Sequence, residues 1–254
     1  TITYWEIWNE PDLDVYDDPD RPGKKLWQTA PRCWGGSEEQ FHEFYATAAK
    51  HLKAKFPHLK IGGPACSGNV AWLERFIAEM AKRGAPMDFC SWHCYGNDAF
   101  AFPWVAERVR KALDANGYAK TESVLSEWNY VRNWSSAFPY TLSAIKSLKG
   151  AAFAASVMAL CQNSPVDAAQ YYGVRGSGFD GVFDFAKRPL PTYWTFRAWN
   201  ELRTLGTQVS CGFDGPGYGK DFFPVAARDA SGKTAILVAR YRELDDMGNP
   251  VKIR

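Results

Sequence analysis

At 254 residues the chain is long enough to bury a substantial core, as one large α/β domain or as a domain with a small appendage. A formal net charge of +2 offers no basic surface for nucleic acid, and no apolar run approaches a membrane span, so neither partner is expected. The 11 Trp, 12 Tyr and 16 Phe suit stacking on sugar rings as well as core packing. Cys33, Cys66, Cys90, Cys94, Cys161 and Cys211 are scattered without a CxxC pair, and read as buried free thiols rather than disulfides or metal ligands.

The chain opens Tyr4-Trp5-Glu6-Ile7-Trp8-Asn9-Glu10-Pro11-Asp12. Aromatic and β-branched residues favour a buried strand, and Pro11 cannot donate to a ladder, so pairing should stop where Glu10 appears. In a parallel α/β barrel the C-terminal strand ends carry the chemistry, which makes Glu10 the first catalytic candidate. The alternative is a helix N-terminus with Glu10 and Asp12 in its first turn. Glu6 shares strand parity with Glu10 and fits a structural ion pair inside a barrel better than catalysis. Residues 12–36 are polar and loop-like, with Asp17-Asp18-Pro19, Pro22-Gly23 and Gly35-Gly36 as breakers; a loop of this length after a barrel strand is a candidate site wall. Ser37 then caps a helix and Gln40 completes a capping box. Phe41, Phe44, Tyr45, Ala48, Ala49 and Leu52 form its apolar stripe, and Pro57 ends it.

Further along, the patterning predicts a strand over 59–64, a helix over 70–83, a strand over 88–95 and a helix over 103–115 stopped by Asn116-Gly117. A strand over 121–128, a long apolar helix over 142–160, a strand over 168–172, a Gly-rich loop and a helix over 191–205 follow. Five β-α units in strict alternation imply a parallel sheet with right-handed crossovers. A closed barrel needs eight, and the missing three would precede residue 1. From Thr207 the character changes: 222–227 and 234–241 read as a hairpin about the turn Asp229-Ala230-Ser231-Gly232, and Val251-Lys252-Ile253 as a further strand cut short. The expected fold is therefore α/β, with residues 1–205 the C-terminal part of a (β/α)8 TIM barrel and residues 206–254 the incomplete start of a small β-domain. An open five-stranded sheet exposes strand edges and apolar barrel interior, so self-association or a complementing N-terminal barrel segment is the expected partner besides carbohydrate.

Two of these strands deliver a glutamate at the C-terminal edge: Glu10 on the first, and Glu127 on the fourth within Ser126-Glu127-Trp128-Asn129. A retaining glycosidase needs such a pair, one carboxyl as general acid and base and the other as nucleophile, about 5–5.5 Å apart. One group must hold its proton while the other stays ionised, so their environments must differ. On Trp8-Asn9-Glu10-Pro11 and Ser126-Glu127-Trp128-Asn129 at this strand separation, the chain resembles the C-terminal part of a clan A glycoside hydrolase, most closely family 39.

The resemblance makes the five units strands four to eight of the barrel. It implies that Glu10 is the acid/base, that Glu127 is the nucleophile, and that Asn9 hydrogen-bonds the sugar hydroxyl beside the anomeric carbon. It also implies that His93 and Tyr95 line the site, with the Tyr95 hydroxyl near the nucleophile, although both also fit plain core packing. Clan members usually end the eighth strand in tryptophan; here the stretch reads Gln170-Tyr171-Tyr172-Gly173, and Tyr172 is the substitute platform. The arginine that the family carries near the nucleophile belongs to an early strand, ahead of Trp8. Trp128 and Trp134, with Trp34, Trp92 and Phe138, are further sugar platforms or core. The family spans β-xylosidases, α-iduronidases and hydrolases of bacterial exopolysaccharides. Arg132, Arg175 and Arg188, in loops after the last two strands, could meet a uronate carboxylate, with solvated surface arginines the simpler reading. No metal or organic cofactor is needed, because two carboxylates complete the chemistry. The expected function is thus retaining, β-xylosidase-like hydrolysis by double displacement; the alternative is an inert carbohydrate-binding half-barrel.

Overall fold

A computed structural model describes residues 2–13, 15–17, 25–27, 33–175, 178–212 and 221–245. Its elements are β1 (Tyr4–Glu6), β2 (Val15–Asp17), β3 (Lys25–Trp27), α1 (Glu38–Lys55), β4 (Lys60–Cys66), α2 (Val70–Lys82), β5 (Phe89–Gly96) and α3 (Ala101–Ala115). They continue as β6 (Glu122–Tyr130), α4 (Phe138–Ala144), α5 (Leu148–Cys161), β7 (Ala168–Tyr171), α6 (Pro191–Leu205), β8 (Thr207–Val209), β9 (Phe222–Arg228) and β10 (Thr234–Arg240). A five-stranded sheet runs β1-β4-β5-β6-β7, with β1 parallel to β4 and β4 parallel to β5. This is the expected part of a TIM barrel. Packing divides the chain into two compact units, one of residues 1–94, 103–128 and 164–170, the other of residues 95–102, 129–163 and 171–254.

In the first unit, α1 and α2 lie over the sheet through an aromatic core. Phe41, Tyr45, Trp72 and Phe76 are all buried, and Trp72 stacks on Phe76 at 5.4 Å and 10°. The capping box forms as expected: Ser37 Oγ accepts from the Gln40 N–H at 3.1 Å, and Gln40 Oε1 accepts from the Ser37 N–H at 2.7 Å. The N-terminal strand ends are tied by polar contacts. Lys53 pairs with Asp88 at 2.7 Å while Asp88 accepts from the Ile61 N–H at 2.8 Å, and Lys60 and the Tyr4 hydroxyl both donate to Glu122.

Three expectations about this unit change. β1 was to be a buried strand, yet Tyr4, Trp5 and Glu6 are exposed, because β1 ends the sheet and pairs with β4 alone among the described residues. Glu6 therefore faces solvent. The stretch 12–36 holds a short antiparallel ribbon of β2 and β3, too brief for a pattern to announce.

The second unit contains the long apolar helix, which breaks into α4 and α5 bent by 80°. Ser147 caps α5 by accepting from the Lys149 N–H at 3.1 Å, and Gly150 sits where a Cβ would be 2.7 Å from the Ala144 and Ile145 carbonyls. Apolar spacing continues across the break, so periodicity alone reads one helix. No single helix among the described residues is long and apolar enough to cross a membrane. The hairpin β9–β10 forms as expected and gains β8 as a third strand, order β10-β9-β8. This sheet packs with α5 and α6 in one unit, so residue 205 marks a change of architecture rather than of packing. Residues 251–253 lie outside the described residues. None of the six cysteines is in a disulfide, four of them are buried, and burial pushes Cys90 up to about 12.

Glu243 ties this unit together. It accepts from Tyr130 at 3.0 Å, Tyr241 at 3.0 Å and Arg132 at 2.5 Å, and Arg132 lies over the Tyr140 ring. Burial alone would raise the Glu243 carboxyl; hydrogen bonds, led by Arg132, outweigh it and hold it below the ordinary range. Such a group contributes stability above its unfolded value near pH 4.3, and loses it as pH falls through the folded value. Glu243→Gln is expected to cost about 1–2 kcal/mol at pH 7, the partial exposure discounting the pair. Thermal melts from pH 7 to pH 3 check this: the gap between the two proteins should close toward acid.

Candidate active site

β1 stops at Glu6, and the chain then leaves extended geometry because its neighbours dictate where it goes. The Ile7 N–H donates to the Gly62 carbonyl at 2.8 Å and the Glu10 N–H to the Ala65 carbonyl at 2.9 Å. Between these anchors Trp8 has φ of 73° and Glu10 φ of 48°, left-handed values that are costly for a residue with a side chain. The turn aims the Glu10 carboxyl at β5, where His93 Nδ1 lies 2.8 Å from Glu10 Oε1. From β6, Glu127 Oε2 comes within 3.6 Å of the same nitrogen.

His93 is buried at 1% side-chain exposure, whereas Glu10 and Glu127 keep 18% and 25%, so a substrate can reach both carboxyls. One donor atom from each of the three residues lies within 4.8 Å of the others. That set could chelate a single cation. It also places one oxygen of Glu10 and one of Glu127 within 4.8 Å of each other.

Of the remaining expected site residues, Asn9 is exposed beside Glu10. Trp128 is 1% exposed, so its ring packs in the interior and offers no sugar platform; strand parity puts it on the face opposite Glu127. Trp92 is buried likewise and donates to Ser123 Oγ at 3.0 Å. Trp34 packs edge-on against Trp8 at 5.3 Å.

Tyr95, Trp134 and Tyr172 belong to the second unit, where they form an aromatic cluster. Tyr95 lies 5.3 Å from Trp134, 6.5 Å from Tyr172 and 5.9 Å from Phe179. Trp134 stacks on Phe138 and Phe179, each at 5.6 Å, and keeps 60% of its surface open, while Tyr172 keeps 48%. Asn129 donates to the Tyr172 carbonyl at 2.7 Å, which fixes the backbone that carries this ring. Of the arginines, Arg132 is engaged by Glu243 and Arg188 by Asp184 at 2.7 Å, while Arg175 is exposed. A uronate role for Arg132 would have to displace Glu243.

Sequence reasoning passed over Asp12 as a functional residue. It is 3% exposed and accepts four hydrogen bonds from residues 66–69. The signal available was a carboxylate directly after Pro11, which an exposed turn would show equally.

A parallel sheet from a TIM barrel, with one glutamate from the turn after β1 and another from β6 meeting at His93 of β5, defines a carboxylate-pair site of the barrel hydrolase class. The model of glycosyl hydrolases family 39 matches residues 2–175, and the chain belongs to that family. It is 32% identical over 96 residues to a β-xylosidase of Geobacillus stearothermophilus, an alignment covering 37% of this chain and 16% of that protein. A β-xylosidase of Caldicellulosiruptor saccharolyticus is 30% identical over 125 residues, 44% of this chain and 22% of that protein. Among solved structures, a glucosidase from Croceicoccus marinus superposes with a TM-score of 0.69 at 26% identity, covering 94% of this chain and 48% of the other. The chain thus spans about half the length of that structure and about a fifth of the curated relatives.

Proposed function

We propose that this chain carries the acid/base and nucleophile of a retaining glycoside hydrolase acting on β-xylosides or related sugars. The observation that supports it best is the carboxylate separation, within 4.8 Å across buried His93. The Glu127 carboxylate attacks the anomeric carbon as Glu10 gives its proton to the departing glycosidic oxygen, leaving a glycosyl ester on Glu127. Glu10, now a carboxylate, takes a proton from water, whose oxygen displaces Glu127 and returns the sugar with its configuration retained. The open faces of Trp134 and Tyr172 support roles as sugar platforms, and the exposure of Asn9, next to Glu10 in the chain, supports a role in binding the neighbouring hydroxyl.

The exposed edge of β1, with Trp5 50% and Tyr4 48% exposed, supports a further part of the proposal. Its backbone groups on the side away from β4, unpaired among the described residues, and its apolar rings fit a parallel strand from the first part of a family barrel, and turnover is expected to depend on that partner. A panel of aryl xyloside, glucoside, galactoside, arabinoside and iduronide tests the reading, run with the chain alone and with a separately produced N-terminal barrel segment of a family member. Hydrolysis with retained configuration by NMR is expected for at least one. Saturable sugar binding with no hydrolysis in either state would favour the inert alternative. Glu10→Ala should lower kcat/KM about 10²–10⁴-fold with unactivated phenol as leaving group and far less with dinitrophenolate, which departs without a proton.

A further inference from the structure

The turn that presents Glu10 is strained at more than one point. Trp8 and Glu10 are left-handed, and so is Ala65, the residue that receives the Glu10 N–H, with φ of 54°. Each such residue costs about 1–2 kcal/mol and persists only where its surroundings over-determine it. Two backbone hydrogen bonds hold the near side of the turn, from Ile7 and Glu10 to β4. On the far side stands the Asp12 side chain, alongside the Trp8 indole N–H, which donates to the Cys33 carbonyl at 3.0 Å.

The Asp12 carboxylate is buried and saturated. Oδ1 accepts from the Ser67 N–H at 2.8 Å. Oδ2 accepts from the Ser67 hydroxyl at 2.8 Å, the Asn69 N–H at 3.3 Å and the Cys66 thiol at 3.3 Å. Burial, and next the Asp12 charge, push the Cys66 thiol up, so it stays a donor at neutral pH. Asn69 in turn caps α2, accepting from the Trp72 N–H at 3.1 Å. The Ala65 N–H donates to Ser91 Oγ at 2.9 Å, two residues before His93 on β5. Asp12 thus fastens the Glu10 turn to the β4–α2 connection, which is itself fastened to the strand that carries His93.

We propose that Asp12 is a positioning residue for the reaction: it pins the turn to residues 66–69 and so holds the Glu10 carboxyl against His93. This rests on the glycosidase reading of Glu10. All its partners are donors, so an amide in its place would turn an N–H₂ toward at least one of them and release the turn. A shift of about 1 Å in a catalytic group costs on the order of 10²-fold in rate.

The test is Asp12→Asn, read in two ways. Against aryl glycosides of graded leaving group, kcat/KM should fall about 30–100-fold for phenol and less than about threefold for dinitrophenol, because only the former needs the Glu10 proton. Equal losses on both, or none, would overturn the proposal, since a merely structural defect does not distinguish leaving groups. Independently of turnover, the His93 imidazole ¹⁵N resonances should move in the direction that Glu10→Gln moves them. Unchanged resonances overturn the proposal even if the parent hydrolyses nothing, an outcome that would count separately against the glycosidase reading. Should Asp12→Asn fail to fold, Ser67→Ala removes one donor and is expected to give a smaller shift of the same sign.

Discussion

Replacing Glu127 by glutamine is expected to lower kcat on the best aryl glycoside of the panel by at least about 10⁴-fold, the scale of removing a covalent nucleophile. The substitution is nearly isosteric, and Glu127 is a quarter exposed on its side chain, so the fold should be indifferent and Tm should stay within about 2 °C. The carboxamide nitrogen has no lone pair free to attack, and the amide oxygen is too weak a nucleophile to form the ester at a useful rate. A fluorinated glycoside that traps the ester should label the parent and leave the variant unlabelled, as mass spectrometry would show. Turnover within tenfold of the parent, both measured in whichever state is active, would remove Glu127 from the reaction. The Glu10 substitution differs in kind: its deficit depends on the leaving group, whereas loss of the nucleophile is felt by every substrate.

Gly62→Ala should be the most damaging single change to stability. A Cβ there would lie 2.1 Å from the Phe89 carbonyl oxygen and 2.5 Å from its ring, and the first of these is backbone that cannot rotate away. Gly62 also accepts from the Ile7 N–H and pairs with Phe89, so three strands meet at this residue. Opening β4 from β5 would move the strands that place Glu10 and His93. A loss of about 3 kcal/mol or more is expected, lowering Tm by about 10 °C. Gly84→Ala is the contrast. Its φ of +58° makes alanine strained, but nothing lies within 4 Å, so the cost should stay near 1 kcal/mol. Thermal melts of the two variants side by side decide it; similar small shifts would mean that the β4–β5 contact is not close.

The elements that were legible are those whose signals are local. α2 was expected over 70–83 and spans Val70–Lys82, and the Ser37 cap lies where serine followed by glutamine placed it. The parallel strands were read from short apolar runs bounded by Gly and Pro, and their alternation with helices implied the barrel topology. What failed locally failed for physical reasons. The α4–α5 break is made by Gly150 fitting against carbonyls of the preceding turn, a steric relation that periodicity cannot express. β1 was read as buried from its aromatic residues, but burial of an edge strand depends on what lies beside it.

At the site the division is sharper. By itself the sequence determined which groups are available: two glutamates at strand ends, an asparagine before one of them and a histidine between, in an order that marks family 39. The pattern of a strand end follows from proline, apolar spacing and turn residues within a few positions, so it survives in one dimension. Only the tertiary structure decided how these groups meet. Glu10 turns toward His93 because Trp8 and Glu10 take left-handed backbone conformations between hydrogen bonds to β4, and Asp12 becomes an anchor because four donors from 54 to 57 residues away converge on it. Trp128, equally plausible as a platform beside Glu127, was turned inward by strand alternation. Hydrogen bonds and side-chain direction depend on partners distant in sequence, which is why the family and the available groups were legible and their geometry was not.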